Sequence, residues 1–133
     1  MAEAIAFPDA EAVAYSWLTA QLAARSDTAA VGTMKPGDGT TRFVRVLRVG
    51  GPRRNMVQDD AMVVFDCYDA EQVDASNLAT LVRALVGAMV GETVDGHMVY
   101  DVTEVGGPAN LPDEFGNPRY TYTAQILLRG API

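Results

Sequence analysis

The stretch RYTYTAQILLR, Arg119 to Arg129, alternates more cleanly than any other part of the chain. Tyr120, Tyr122, Ala124, Ile126 and Leu128 fall on one side, and Thr121, Thr123 and Gln125 on the other. That period of two belongs to a strand with one face on a core. Upstream, Met62 to Tyr68 repeats the pattern, with Val63, Phe65 and Cys67 set against Val64 and Asp66. Between the two lies a different period: Leu78, Leu81, Val82, Leu85 and Met89 recur at spacings of three and four, which predicts an amphipathic helix. Asp69 or Asp74 is placed to cap it and Gly91 to end it.

Working outward, Asp95-Gly96 predicts a turn into a strand from His97 to Val105, which Gly106-Gly107-Pro108 then interrupts. A loop rich in Pro, Asn and Asp follows, from Ala109 to Pro118. Toward the N-terminus, Arg42 to Val49 reads as a strand with apolar and charged residues on both faces. Such a strand suits a place near a sheet edge, or one whose second face meets another chain. Gly50-Gly51-Pro52 breaks it, and a loop through Arg53, Arg54, Asn55 and Asp59-Asp60 leads to the Met62 strand. Before it, Ala30 to Met34 is β-prone, and Lys35-Pro36-Gly37-Asp38-Gly39 carries turn chemistry that predicts a hairpin. Pro8-Asp9 opens a first helix, on which Val13, Trp17, Leu18 and Leu22 share a side.

The order is helix, three strands, helix, two strands. It predicts one α+β domain over residues 1–133, with two helices packed on one face of a mainly antiparallel sheet of about four to five strands. The link from the third strand through the second helix admits either a right-handed crossover or a return to the far edge.

Composition bounds the function. The chain has 133 residues, 49% hydrophobic and 20% charged, enough for a core without disulfide or metal staples. One Cys and one His cannot build a cysteine-rich zinc site. A net charge of -7, from 10 basic and 17 acidic side chains, speaks against a nonspecific nucleic-acid binder. Met1 to Ala10 has no basic residue and no apolar run suited to a signal peptide, and Ala84 to Gly91 is far too short to span a bilayer.

Catalytic constellations are scarce. His97 shares a strand face with Asp101, but an edge or turn histidine is the plainer reading. Cys67 reads as a small buried hydrophobe. Gly37-Asp38-Gly39 lacks the Gly-Lys step of a phosphate loop, and Asp59-Asp60 and Asp113-Glu114 match no calcium loop, so exposed loop charges account for them. No cofactor and no metal is expected.

One charge feature stands out. Arg42, Arg45, Arg48, Arg53 and Arg54 follow one another with no acidic residue between, in an otherwise acidic chain. They are either a solvated strand face or a basic patch complementary to the acidic surface of another copy. Such a head-to-tail contact closes into a ring when the rotation allows. The Gly-Gly-Pro segments, 50–52 and 106–108, would let a neighbouring backbone approach closely.

The string from Arg42 through Val49, Gly50, Gly51, Pro52, Arg53 and Arg54 to Asn55 resembles tail terminator proteins of long-tailed phages of actinobacteria. So do Glu104-Val105-Gly106-Gly107-Pro108-Ala109-Asn110-Leu111-Pro112-Asp113 and Pro118-Arg119-Tyr120-Thr121-Tyr122, and the resemblance covers nearly the whole chain. It implies a small virion protein without catalysis, forming a homohexameric ring on the head-proximal end of the tail tube. That ring stops polymerisation of the major tail tube protein and presents a surface to the head-to-tail connector. The implied partners are therefore copies of itself, the tube protein and the connector, with DNA only as passing cargo in the lumen and no membrane. Arginines lining the lumen would hold DNA back, so Arg42, Arg45, Arg48, Arg53, Arg54, Asn55 and the glycine-proline segments with Asn110 are assigned to subunit or tube contacts. Two other readings compete: a head-closure or neck connector on the portal side, and a small-ligand enzyme or binding module.

Overall fold

The computed structural model describes residues 3–133. Met1 and Ala2, part of the N-terminal stretch considered above, lie outside the described residues. In chain order the elements are β1 (Ile5–Ala6), α1 (Ala10–Ala24), β2 (Ala30–Gly32), β3 (Phe43–Arg48), β4 (Gln58–Tyr68), α2 (Gln72–Gly87), β5 (Thr93–Val94), β6 (His97–Asn110), β7 (Arg119–Arg129) and β8 (Ala131–Pro132). Six strands form one sheet in the order β2-β3-β4-β7-β6-β5, and β1 and β8 pair separately. The two stretches with the cleanest alternation are its centre: β4 and β7 pair antiparallel along their full length, from Gln58 opposite Arg129 to Tyr68 opposite Arg119.

One core joins both helices to one face of the sheet. Val13, Leu18 and Leu22 of α1 and Leu78, Val82 and Leu85 of α2 meet Val44 and Val46, Val63 and Phe65, and Tyr122, Ala124, Ile126 and Leu128. The expected two-layer α+β arrangement is the one observed. Asp9 caps α1 as its position predicts, its carboxylate accepting from the Glu11 and Ala12 amides at 2.9 and 3.3 Å. Trp17 ties the helices together, its indole N–H donating to the Leu85 carbonyl at 2.7 Å. Asp95 and Gly96 both have positive φ, 51° and 80°, as the expected tight turn between β5 and β6 requires.

Four expectations are corrected. Lys35 to Gly39 makes no hairpin, because β2 and β3 pair parallel. The Arg42 guanidinium holds Asp27, and the Ala30 amide donates to the Arg42 carbonyl, so the starts of both strands are set side by side. The chain must then travel back through residues 33–42. There Asp38 closes a local turn on the Thr40 amide and hydroxyl. Second, Asp59 and Asp60 are not loop residues; they lie in β4, and Asp59 is 3% exposed. Third, Gly106-Gly107-Pro108 does not end a strand. β6 runs on to Asn110 by absorbing the segment as register shifts against β7.

The fourth correction concerns α2. Its N-cap is Glu71, with no side-chain cap bond, because Asp69 is bound to Arg42 and to the Ala70 amide. The helix stops at Gly87, and Gly91, at φ +80°, serves the following turn by donating its N–H to the Val99 carbonyl. The link from β4 through α2, for which two routes stood open, leads past β7, which lies between β4 and β6, so these two strands run parallel within the sheet. It is a crossover, and it carries the chain to the side of the sheet far from β2.

Candidate functional site

The five clustered arginines are placed by β3, by the residue before it and by the loop that follows it. Strand alternation sends Arg45 to the face away from the helices, where it lies directly opposite Asp66, itself opposite Thr121. Arg45 Nη2 donates to Asp66 Oδ2 at 2.7 Å, and Thr121 Oγ1 to Asp66 Oδ1 at 2.9 Å, a polar rung across three strands. Arg42 reaches beyond the strand end. Nε and Nη2 bond Asp27 at 2.9 and 2.8 Å while Nη1 bonds Asp69 at 2.8 Å. The Asp27 bonds raise the Arg42 pKa, and the Arg42 bond holds Asp27 below its ordinary value.

Arg48 organises the turn out of β3. It bonds both Asp59 oxygens, at 2.6 and 2.8 Å, and the carbonyls of Gly50 and Gly51, at 3.0 and 3.2 Å. Its own amide donates to the Glu11 carboxylate at 2.7 Å, so the part of β3 that β2 leaves uncovered is sealed by a helix side chain. Gly51 has φ +89°, and a side chain there would collide with the Asp60 carbonyl. This Gly-Gly-Pro segment therefore serves close approach within the chain.

The remaining members of the cluster differ. Arg54 pairs with Asp60 at 3.0 Å but stays half exposed. Arg53 has no carboxylate partner among the described residues and lies 5.2 Å over the Phe7 ring. Asn55 is spent locally, its side chain bonding the Val57 and Gln58 amides at 3.0 Å each. The basic patch legible in the sequence is thus largely neutralised by acids brought from the α1–β2 connection, β4 and the β4–α2 connection.

The second Gly-Gly-Pro segment is elsewhere. Gly106 lies opposite Thr123 and Asn110 opposite Tyr120, so this segment flanks β7 while Gly51 approaches β4 from the other side. Gly107 faces Arg83, whose guanidinium bonds Glu104 at 2.6 and 2.8 Å. The two segments do not form one surface. Beyond the short β5, the outer edge of β6 has no partner strand among the described residues.

His97 is exposed at the start of β6, and the Asp101 carboxylate accepts from the neighbouring Val102 amide. Cys67 is fully buried in β4, as its alternation predicts, and burial pushes its thiol well above the ordinary range. Among the described residues no three His, Cys, Asp or Glu side chains group as metal ligands, and no helix is long and apolar enough to cross a membrane.

Sequence reasoning missed the loop at the other end of the sheet. Phe115 is 81% exposed, yet its loop is tightly bound. Asp113 accepts from the Phe115 and Asn117 amides at 3.0 and 2.9 Å and from Asn117 Nδ2 at 2.9 Å. Its backbone exchanges bonds with Asn117 and Gly116. Asn117 above all, with the two amides and Lys35, keeps the Asp113 pKa low. Asp113 is half-buried and highly bonded, not the free loop charge expected. A phenylalanine inside the polar run Asp113-Glu114-Phe115-Gly116-Asn117 was the available signal.

A sheet with charges turned into its own seams and apolar groups held out on ordered loops is a domain that acts by contact with other macromolecules. Its family follows from comparison. Residues 6–120 match the family of phage tail termination proteins, and the chain belongs to that family. It is a structural protein of the virion tail and not an enzyme. Among solved structures, a chain of the virion of a native gene transfer agent particle has the same fold, with a TM-score of 0.60 at 18% identity. The match covers 91% of this chain and 95% of that one. No curated protein matches.

Proposed function

We propose that the protein caps the head-proximal end of the tail tube as a ring of its own copies, ends tube polymerisation and offers its far side to the head-to-tail connector. The single observation that carries the reading is the family match across residues 6–120, most of the chain. The fold shared with a chain of a gene transfer agent particle's virion is consistent with it. The ring is read as hexameric and the tail as the long type of actinobacterial phages on the resemblance of the sequence alone. DNA crosses the lumen as cargo, and an acidic chain of net charge -7 suits its passage.

Within this reading the contact residues narrow. Arg42, Arg45 and Arg48 hold the protomer together and reach partners only with their exposed edges. Arg53, Arg54, Asn55 and the bare β6 edge with Gly106, Gly107, Pro108 and Asn110 remain as subunit or tube contacts. Tails grown with and without the protein, imaged by negative stain, test the function. The expected result is tubes of regulated length with the protein and overgrown or headless tubes without it; regulated, head-joined tails in its absence would sink the reading. Substituting Arg53 and Arg54 by Glu should weaken ring formation or capping, and unchanged assembly by light scattering and microscopy removes that role.

A further inference from the structure

Phe115 and a pocket at the opposite end of the sheet are complementary. The Phe115 loop joins β6 to β7, and Glu114 beside the phenylalanine has no cationic partner among the described residues. At the far end, where β7 runs into β8, Phe7, Pro8, His97, Arg129, Ala131 and Pro132 line an open, largely apolar pocket of about 230 Å³. An enclosed cavity of about 150 Å³ holds a benzene ring, so the volume of this open pocket admits a phenyl group. Arg129 on its rim has no carboxylate within bonding distance among the described residues, and Arg53 stands over Phe7.

From this pairing we infer that Phe115 of one copy inserts into the Phe7–Arg129 pocket of the next, with Glu114 meeting Arg129 or Arg53. The inference rests on the ring reading and names the contact that closes it. The occupant is a second copy because both halves sit on one chain, at opposite ends of one sheet, with the Glu114 carboxylate beside Phe115 on one and Arg129 and Arg53 on the other, although Lys35, Arg45 and Arg119 also stand around Phe115. Such a contact is heterologous, the kind that closes into rings. The loop is also already in shape. Five hydrogen bonds through Asp113 and the Gly116 conformation at φ +80° fix the loop backbone that carries the phenylalanine before any partner arrives, which lowers the backbone entropy lost on docking. An aromatic 81% exposed on an ordered loop is of the residue class enriched at interfaces.

The test uses full-length chains with purified tail tubes, so that a templated ring also forms. Glu114→Cys, which leaves Phe115 in place, and Ala131→Cys are made as separate variants and then mixed under mild oxidation. Buried Cys67 stays out of the reaction. A disulfide between copies in the mixture, and in neither variant alone, is the expected result. Phe115→Ala should weaken association about tenfold or more, as truncating an interface anchor does. Glu114→Arg should weaken it too, and Arg129→Glu in the neighbouring copy should restore it. Circular dichroism checks that these loop variants stay folded. Rings that form on tube ends without the disulfide and tolerate Phe115→Ala would overturn the contact and leave the capping function standing. Rings that form normally but release the tube in Phe115→Ala overturn it as well, placing the finger on the tube protein. If the unmodified chain makes no ring and caps no tube, the function fails and the contact with it.

Discussion

Arg42 and Asp27 lie on either side of β2, and their two-bond ion pair, at 2.9 and 2.8 Å, is what lets β2 and β3 start side by side and run parallel. With Asp69 on its third nitrogen, Arg42 joins the exit of α1, the start of β3 and the end of β4.

Arg42→Ala should therefore destabilise the protomer by about 1–3 kcal/mol, since it strands two partly buried carboxylates. Arg42→Lys should recover little, because an ammonium cannot grip Asp27 with a fork and reach Asp69 as well. Urea unfolding midpoints of the three proteins decide it. A lysine variant as stable as the unmodified chain would show that charge alone is needed.

Acid should unfold the protein from a defined pH. Asp27 and Asp113 are held below the ordinary carboxylate value, by Arg42 and by Asn117 respectively. A group whose folded pKa is depressed contributes stability that is present above the unfolded value, about 3.9, and lost as pH falls through the folded one. Stability should thus hold steady down to about pH 5 and fall below about pH 4. Asp113→Asn should flatten that fall without changing its direction. Denaturant midpoints taken between pH 7 and pH 2.5 check both.

The sequence showed the layers and concealed the seams. Periods of two and three-to-four place β4, β7 and α2 because those residues face one continuous core, so burial imprints the pattern directly. Ion pairs leave no such imprint. Nothing in the spacing of Arg42, Arg45 and Arg48 announces that Asp27, Asp66, Asp69 and Asp59 will come to meet them, because the meetings depend on strand order. Uninterrupted positive charge along the chain consequently read as a docking patch. Turn residues misled for a related reason: Asp38-Gly39 makes a local turn, while the direction of the returning strand is decided by Arg42. Gly106-Gly107-Pro108 carries breaker chemistry, yet an edge strand tolerates such residues as bulges.

Cys67 offers a linkage test of opposite sign. Burial raises its thiol pKa, so the folded protein keeps the proton while the unfolded chain loses it near pH 8.5. Stability should be unaffected below that pH and decline as pH rises beyond it, and Cys67→Ala should remove that part of the decline. The native chain should also resist a thiol reagent at pH 8 and react once unfolded in urea. Rapid labelling of the native protein would contradict the burial.

The last prediction separates the two glycine runs. Gly51 combines φ +89° with the Asp60 carbonyl and the Met62 amide in the space a side chain would take, and Arg48 clamps the same turn through the Gly50 and Gly51 carbonyls. Gly51→Ala must break either the turn or the start of β4, for about 2 kcal/mol or more of lost stability. Gly106 has an ordinary φ and open space around its missing side chain, so Gly106→Ala should be folded and close to neutral. Assembly then reads them differently. A Gly106→Ala protomer that folds normally but fails to join a ring places a partner's backbone against the β6 edge. One that folds and assembles normally shows that this edge is not closely approached, and leaves the ring contacts to the Arg53 loop and the Phe115 finger.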